Sequence, residues 1–588
     1  MKAHKRDFGE LELDLAQYEL RRRGAKVVLE RQPMDLLILL AEKQGQLTTR
    51  KEIVTRLWGD RPYFDSDRGI NTAIRKIRVA LCDDPEQPRY IETIVGKGYR
   101  LVGKVRQVPS APSTVRVTRL MVLPFRMLQA DSDSAFLAFS VPDAVGAALS
   151  GFTSLVVRST AAALRYGSDS LDLKRVAEEA AVDVVLTGTM LRAGETIRVN
   201  CQLIEAPAGT VRWSLQLQVS LRDLFQLQDH LVERIVGSLT LSLTAREHSL
   251  LKRDIPASPA AYECYLRGNE LSRRGLAGAE NLPVARDLYA RGLEESPGYA
   301  PAWARLGRCH FLIGKGVEHP AENFALAESA FKRALELNPD LELAHSLYAR
   351  LEADLGKAEQ AMVRLLQRAA TASTGPDLFA SLVQCCRYCG LAEASLAAHE
   401  RARKLDPQAA TSVIQTYFQL GDYERALDHV NPGVWMTDAQ ALDALGRHQD
   451  ALSILRVRER SPIPLPMRTY VRAWRALLEG NVKESIDAAE QAARHYIDPE
   501  GVFYMALVTA RLDPGRALTM LEDSFKRGFF SVYALTRNAW LDPLRTDRRF
   551  EELLRLVRAK SQQAAEAYRN AGGHRVLGRP TPYQRTPS

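Results

Sequence analysis

A recurring helical pattern fills the second half of the chain and constrains the fold more than any other feature. Between about Ser258 and Val557, small residues, aromatic residues and prolines recur in one order. Such repeats cannot bury their apolar faces alone, so neighbouring repeats stack into a continuous array. A chain of 588 residues is also too long for a single core. We therefore expect several structural units, one of them a helical array.

The most complete repeat gives the order of the residues. Its small residues let two helices approach closely, its aromatic residues fill the gap, and its proline ends the second helix. This order resembles the tetratricopeptide repeat (TPR), which implies a solenoid of helical hairpins over residues 256–558. The resemblance rests on Trp303, Leu306, Gly307, Ala327, Phe331, Ala334 and Pro339, and the ending recurs as Ala285, Tyr289, Gly292 and Pro297 and as Ser395, His399, Ala402 and Pro407.

Much of the excess positive charge is at the other end of the chain. The net charge is +9, and residues 1–106 contain 22 Lys and Arg against 16 Asp and Glu. This excess suits attraction to a polyanion such as nucleic acid, although it also fits an ordinary solvated surface. Residues 107–117 are rich in Pro and Ser and predict a linker, because they cannot build a core.

The N-terminal domain has a predicted order of strands, three helices and a final hairpin. Alternating apolar residues predict the strands, and a proline begins the first helix. Thr48 or Thr49 can cap a second helix that runs to Trp58. A third helix follows from about Arg68 to Leu81. This order of elements is typical of a helix-turn-helix with a wing.

The third helix has one apolar face. Ile70, Ile74, Ile77 and Leu81 recur at helical spacing, so they form one buried stripe. The opposite faces are left for solvent and carry side chains that can reach phosphates and base edges in a major groove. Those side chains are Arg68, Asn71, Thr72, Arg75, Lys76 and Arg78. The pattern predicts a recognition helix, although a basic face alone is more often only solvated.

The segment YIETIVGKGYRLVG predicts the wing that follows this helix. Thr93 and Lys97 can touch a second stretch of DNA backbone. Gly96 and Gly98 permit a tight turn, which is also what an ordinary hairpin needs. Tyr99 fits a DNA contact and a core aromatic equally well.

The segments LTTRKEIVTRLWG, INTAIRKIRVAL and YIETIVGKGYRL resemble the effector domain of the OmpR/PhoB family of winged-helix regulators. The resemblance covers about residues 7–105 and implies an α+β fold. It also implies DNA contacts at Arg68, Arg75, Lys76, Arg78, Thr93, Lys97 and Tyr99. Two positions depart from the family pattern, Ala73 on the helix and Val95 in the wing, so the resemblance does not give the DNA sequence that is recognised.

Residues 118–250 have an α/β pattern that predicts a sensor or docking domain. LMVLPF and DVVLTGTM predict strands, two alternating runs predict a hairpin, and an amphipathic helix over Leu221 to Leu243 closes the region. The region contains no Walker loop, GxSxG elbow or HExxH helix, so we expect no enzyme activity and no cofactor. The layout of the whole chain resembles HilA-like regulators, which implies an activator, possible control of virulence or secretion genes, and contact with RNA polymerase.

Several features favour a reduced, cytoplasmic protein. The apolar segment from Phe136 to Val157 contains Pro142 and Asp143, so a helix followed by a buried strand explains it better than a membrane span. Cys386 and Cys389 form one CxxC without two further ligands at zinc spacing, so we expect neither a metal nor a disulfide.

Residues 559–588 are polar and predict a flexible tail.

The sequence therefore predicts a multidomain, mainly α protein with an N-terminal winged helix, a central α/β domain and a C-terminal TPR solenoid. Its predicted function is sequence-specific DNA binding in transcription. The predicted partners are promoter DNA, a protein or peptide that binds the repeats, and a second copy of the chain. No membrane contact is expected. The first alternative is an interaction scaffold whose winged helix contacts protein. The second is an enzyme such as a nucleotide cyclase, for which no catalytic constellation is visible.

Overall fold

The computed structural model divides into two compact units, residues 1–116 and residues 117–241 with 245–588. The predicted domain bounds stay a prediction. Strand β8 occupies the first two residues of the predicted linker, and residues 109–117 of that linker lie outside the described residues. The structure describes every residue except 1–4, 8–10, 15–18, 23–24, 28, 44, 59–65, 103–105, 109–117, 130, 153, 167–170, 240–253, 317–319, 372–373, 431–436, 496–497, 580–582 and 584–588.

The first unit combines two antiparallel sheets with three helices, as predicted for a winged helix. The larger sheet has the order β4-β3-β2-β1-β8, and the smaller has the order β5-β7-β6. The elements are β1 Lys5–Asp7, β2 Leu11–Asp14, β3 Glu19–Arg22, β4 Ala25–Val27, α1 Arg31–Glu42, β5 Thr48–Thr49, α2 Arg50–Trp58, α3 Ser66–Leu81, β6 Ile91–Ile94, β7 Gly98–Leu101 and β8 Arg106–Val108.

The core of this unit forms where α1 and α3 face each other. The predicted stripe of α3 is confirmed, because Ile70, Ile74, Ile77 and Leu81 are all at most 4% exposed. They pack in one cluster with the apolar residues of α1 and of the β6–β7 hairpin. The stripe therefore fixes which side of α3 faces the core and which side faces solvent.

A capping box begins α2. The Thr49 hydroxyl accepts a hydrogen bond from the Glu52 amide at 3.3 Å, while the Glu52 carboxylate accepts one from the Thr49 amide at 2.9 Å. Lys43 Nζ lies 2.6 Å from the same carboxylate. Hydrogen bonds from Lys43 and then from Thr49 lower the pKa of Glu52 to about 2. The predicted cap at Thr48 or Thr49 is confirmed at Thr49.

The second unit begins with a mixed sheet of order β11-β9-β12-β13-β14, in which β10 also pairs with β12. β9, β11 and β12 are parallel, and β12, β13 and β14 are antiparallel. The elements are β9 Thr118–Val122, β10 Arg126–Met127, α4 Leu137–Leu149, β11 Leu155–Val157, α5 Thr160–Ala163, α6 Leu173–Ala180, β12 Val184–Ala193, β13 Thr196–Glu205, β14 Val211–Ser220 and α7 Leu224–Ser238.

The apolar segment from Phe136 to Val157 contains α4 and the short strand β11, as the sequence predicted. Eight residues of α4 are buried, and Pro142 lies inside the helix. Over the part of the chain that the structure describes, every helix is either too short or too polar for a membrane span.

The rest of the second unit is a succession of helical hairpins, which confirms the predicted fold class. Their bounds are Pro259–Ser272, Leu282–Glu295, Ala300–Gly316, Pro320–Leu337, Glu342–Asp354, Ala358–Thr371, Pro376–Tyr388, Ala392–Leu405, Val413–Leu420, Tyr423–Asp428, Asp438–Ala444, His448–Glu459, Leu465–Leu478, Val482–His495, Pro499–Ala510, Pro514–Lys526, Val532–Arg537, Arg548–Asn570 and Gly573–Leu577.

The small and aromatic residues of the repeats meet as predicted. A Cβ added to Gly307 would lie 2.8 Å from the ring of Phe331, and one added to Gly268 would lie 2.6 Å from the ring of Tyr289. Only glycine lets the paired helices approach so closely. The helix before Pro339 ends at Leu337, in agreement with the predicted stop.

The last helices of the unit fold back onto earlier repeats. Gly356 and Gly528 touch through their backbones, since a Cβ on Gly528 would lie 2.5 Å from the Cα of Gly356. The Phe530 amide also donates to the Tyr388 carbonyl at 2.7 Å. The repeats are thus joined by contacts between residues far apart in sequence, in addition to those between neighbours.

The predicted start of the flexible tail, at residue 559, is wrong. The helix Arg548–Asn570 continues past residue 559, and Ala564 and Tyr568 are buried on its inner face. Val557, Ala564 and Tyr568 recur at helical spacing, but the polar residues between them hide the pattern in the sequence.

The CxxC is part of the core of the array. Cys386 and Cys389 are fully buried, and burial raises the pKa of both thiols well above the usual range. Within the described residues, His, Cys, Asp and Glu side chains form no group of three that could hold a metal ion.

Candidate nucleic-acid interface

Helix α3 presents polar side chains on the side opposite its buried stripe. Asn71, Thr72 and Arg75 are exposed. Within the described residues, the guanidinium of Arg75 takes part in no hydrogen bond or ion pair, so it is available for an external anion. Arg68 lies in the first turn of α3, but its side chain is outside the described residues.

The other two basic residues of α3 have partners within the unit. Lys76 Nζ lies 2.6 Å from the carboxylate of Glu30. Arg78 Nη2 donates to the Ile91 carbonyl and to the Thr93 hydroxyl, each at 2.9 Å. Arg78 is half-buried and links α3 to the first strand of the wing. A direct DNA contact by Lys76 or Arg78 stays a prediction.

Tyr99 is a core aromatic residue whose hydroxyl reaches the recognition helix. It is 4% exposed, and its hydroxyl donates to Asn71 Oδ1 at 2.8 Å. Arg50, the first residue of α2, lies 5.7 Å from the Tyr99 ring centre and pairs with Asp67 at 2.6 Å. Tyr99 and Arg50 therefore set the position of Asn71, and a DNA contact by Tyr99 itself stays a prediction.

The wing is the hairpin of β6 and β7, and its tip is fully presented to solvent. Val95 is 89% exposed, and Gly96 and Lys97 beside it are exposed as well. The Lys97 carbonyl accepts a hydrogen bond from the Arg50 amide at 3.3 Å, which ties the turn to the start of α2. The Lys97 side chain thus projects from an anchored turn.

Gly98 allows the wing to pair with β5. Its φ is +155°, and a Cβ at this position would lie 2.0 Å from the Thr48 carbonyl oxygen. No side chain fits at that distance, so the pairing of Thr48–Thr49 with the wing requires glycine. The sequence predicted a glycine turn here, and the structure adds this second reason.

Asp83 fixes where the wing begins. Its carboxylate accepts hydrogen bonds from the backbone amides of Arg89, Tyr90 and Ile91 at 2.6, 3.0 and 2.8 Å. Asp83 lies two residues after the last residue of α3, so it couples the helix to the strand. Sequence reasoning missed Asp83 and Arg50, although an aspartate followed by Asp and Pro after a helix is a recognisable turn signal.

A groove of about 510 Å³ lies between α3 and the wing. Asn71, Arg75 and Arg78 line it from the helix, and Thr93 lines it from the wing. The structure thus brings together most of the predicted site residues that it describes. The arrangement offers one exposed helix face and one exposed hairpin tip on the same small unit, which suits a polyanion with a groove.

Comparison with known proteins agrees with this geometry. Residues 24–101 match the family model described as "Transcriptional regulatory protein, C terminal". These residues form an OmpR/PhoB-type winged-helix domain. Residues 116–234 match a second model, described as "HilA/YgeH-like transcriptional regulator, second domain". In the sequence, the OmpR/PhoB-type domain is therefore followed by a region that is similar to a domain of transcriptional regulators.

Two curated relatives match parts of the chain. One, from Rhizobium meliloti (strain 1021), is named "Putative adenylate cyclase 3" and is 30% identical over 202 residues, which are 34% of this chain and 33% of the relative. The other, "DNA-binding response regulator MtrA" of Mycolicibacterium smegmatis, is 32% identical over 93 residues, which are 16% of this chain and 40% of the relative. The chain thus spans less than half of either relative.

Three solved structures match as well. The Klebsiella pneumoniae RstA DNA-binding domain in complex with the RstA box is 31% identical and covers 16% of this chain and 95% of its own, with a TM-score of 0.16. Thermotoga maritima DrrB, an OmpR/PhoB homologue, is 35% identical over 17% of this chain and 45% of its own, with a TM-score of 0.16. The P58(IPK) TPR domain is 14% identical over 60% of this chain and 97% of its own, with a TM-score of 0.15.

Proposed function

We propose that this protein is a sequence-specific DNA-binding transcription regulator. Helix α3 enters the major groove, and the wing lies against the neighbouring DNA backbone. The observation that carries this proposal is the exposed guanidinium of Arg75, on the outer face of a helix whose inner face is fully buried. The match of residues 24–101 to a transcriptional regulator model supports it.

The residues of the OmpR/PhoB-type domain divide into two roles. Arg75, Thr72 and Asn71 read base edges, because they lie on the side of α3 that faces away from the core. Arg68, in the first turn of the same helix, is proposed to join them on the basis of the sequence pattern alone. Lys76, Thr93 and Lys97 contact phosphates and set the register of the domain on the duplex. Arg78 and Tyr99 hold the wing and Asn71 in place.

The second unit supplies the regulatory contacts. The match of residues 116–234 to a HilA/YgeH-like transcriptional regulator domain supports a role in regulation. The proposed role as an activator, with virulence or secretion genes as targets and RNA polymerase as a partner, rests on the HilA-like layout of the sequence. The helical hairpins that follow suit a protein or peptide partner. Catalysis plays no part in this function.

Replacing Arg75 by alanine is expected to weaken binding to the target promoter by about one to two orders of magnitude, the cost of a lost base contact of ~1–3 kcal/mol. The Arg75 guanidinium forms no hydrogen bond or ion pair with a described residue, so the fold should be unchanged. Chromatin immunoprecipitation of the full chain in its native host identifies the promoters, and fluorescence anisotropy on those fragments measures Kd.

The matched control is Arg558→Ala, which removes the same charge from an exposed position in the second unit. It should leave promoter occupancy and Kd unchanged. Arg78 is unsuitable as a test residue, because its loss would also release the wing. An absence of promoter peaks for the unaltered chain, or peaks that survive Arg75→Ala, would favour a scaffold whose winged helix contacts protein.

The logarithm of the binding constant should also fall linearly with the logarithm of the salt concentration, because phosphate contacts release counterions from DNA. Lys97→Ala should make this slope less steep by about one ion, whereas an affinity that does not change with salt would contradict the proposed surface.

A further inference from the structure

Strand β14 forms a long open edge of the central sheet. It pairs with β13 on one side, and no strand among the described residues pairs with its other side. All ten of its residues are at least partly exposed. The opposite edge strand, β11, has only three residues. An open edge of this length presents a row of unpaired backbone groups that favours addition of another strand.

The hydrogen bonds to β13 show which backbone groups of β14 point outward. The Leu221 amide donates to the Glu195 carbonyl at 2.9 Å, so this position is a hydrogen-bonded pair of the ladder. In an antiparallel ladder such pairs alternate with positions that point away. The amides and carbonyls of Ser214, Gln216, Gln218 and Ser220 therefore face the open edge.

Residues 213–220 of this edge lack the charged residues and prolines that commonly prevent strand addition, and the β-bulge of the strand is confined to its start, at Arg212. Arg212 is the one charged residue of β14, and it pairs with Glu205 at 2.8 Å on the neighbouring strand. Soluble proteins commonly protect long edges with lysine, proline or inward charges. Residues 213–220 carry none of these, so this part of the edge is open to strand addition.

The side chains of β14 are complementary to a reversed copy of the same strand. Trp213, Leu215, Leu217 and Val219 are half-exposed on one face, and Ser214, Gln216 and Gln218 are exposed on the other. In an antiparallel pair centred on Gln216, Leu215 lies opposite Leu217 and Ser214 lies opposite Gln218. Apolar residues then meet apolar residues, polar residues meet polar residues, and no like charges are opposed.

We propose that β14 pairs with β14 of a second copy of the chain, antiparallel and centred on Gln216, to form one continuous sheet across a homodimer. The outward backbone groups of both copies become hydrogen-bonded, and the half-exposed apolar face of each strand gains a neighbour. Two copies also bring two winged helices to one DNA molecule, which strengthens binding to paired half-sites.

Sedimentation equilibrium of the full chain without DNA tests the proposal. The unaltered protein should be a dimer, and Gln216→Pro should be a monomer, because proline removes an outward amide without breaking the ladder to β13. Gln216→Thr keeps the amide and should remain a dimer. A monomeric unaltered chain, which would leave the edge to a peptide or another protein, or a dimer that survives Gln216→Pro, overturns the proposal.

A pair of charged variants tests the register. Ser214→Glu with Gln218→Glu opposes like charges across the dimer, and we expect dimerisation to weaken about tenfold or more. Ser214→Lys with Gln218→Glu opposes unlike charges and should restore the dimer. Both variants carry Gln218→Glu opposite Arg198 of β13, so they differ from each other only at residue 214. A dimer equally stable in both variants, or lost in both, overturns the register, and circular dichroism verifies that each variant folds.

Discussion

Alanine at Gly98 is expected to abolish DNA binding by the full chain. The added Cβ would lie 2.0 Å from the Thr48 carbonyl oxygen, so β5 and the wing could not remain paired. The positive φ of +155° adds backbone strain for any residue other than glycine. Together the clash and the strain should cost about 3 kcal/mol or more of the stability of the first unit. Anisotropy on the target promoter gives the affinity, and thermal unfolding gives the stability.

Gly96→Ala is the control for this prediction. Gly96 also has a positive φ, of +72°, but a Cβ there would meet nothing within 4 Å. Only the intrinsic cost of the left-handed conformation remains, about 1–2 kcal/mol. This variant should retain a folded first unit and measurable DNA binding. If Gly98→Ala bound DNA as well as Gly96→Ala does, the pairing of β5 with the wing would not be needed for recognition.

The sequence was sufficient to predict α3 and its orientation. Its isoleucines recur at helical spacing, and burial of that stripe leaves only one side for Arg75 and Thr72. The α2 cap was equally predictable, because a capping box involves residues only three positions apart. Local periodicity and local hydrogen bonds are encoded in neighbouring residues, so a single sequence carries them.

The sequence does not predict the hydrogen-bond partners of Arg78 and Tyr99. Arg78 is on the polar side of α3 by periodicity, yet its long side chain turns back to the wing strand. Tyr99 lies in the core, and its hydroxyl meets Asn71, which is 28 positions away. Contacts of this kind depend on how separate elements pack, and no local pattern records them.

The helical array also has features that the sequence predicts and features that it does not. Glycine and aromatic spacing predicted the hairpins, as Gly307 and Phe331 show. The return of the last helices was not predictable, because it depends on backbone contact between Gly356 and Gly528. Gly356 belongs to the repeated turns, but the spacing of the repeats does not tell which later residue its backbone contacts.

A buried ion pair joins distant parts of this array. Breaking this pair is the second of the two changes that we expect to have the largest effects. Arg387 and Glu500 are 3% and 7% exposed, and their side chains form two hydrogen bonds of 2.7 and 2.9 Å. Gln419 Nε2 and the Tyr504 hydroxyl also donate to Glu500, at 2.7 and 3.1 Å. The carboxylate is therefore the common acceptor of three other side chains.

Glu500→Gln is expected to lower the free energy of unfolding of the second unit by about 3–5 kcal/mol, because it leaves the Arg387 charge buried without a counter-charge. Urea denaturation followed by circular dichroism measures the change. The control is Glu522→Gln, which breaks the surface pair with Arg549 of 2.9 Å and should cost less than about 1 kcal/mol. The two substitutions are chemically identical and differ in burial. Equal effects would mean that water reaches Arg387 and that the pair does not join the early repeats to the late ones.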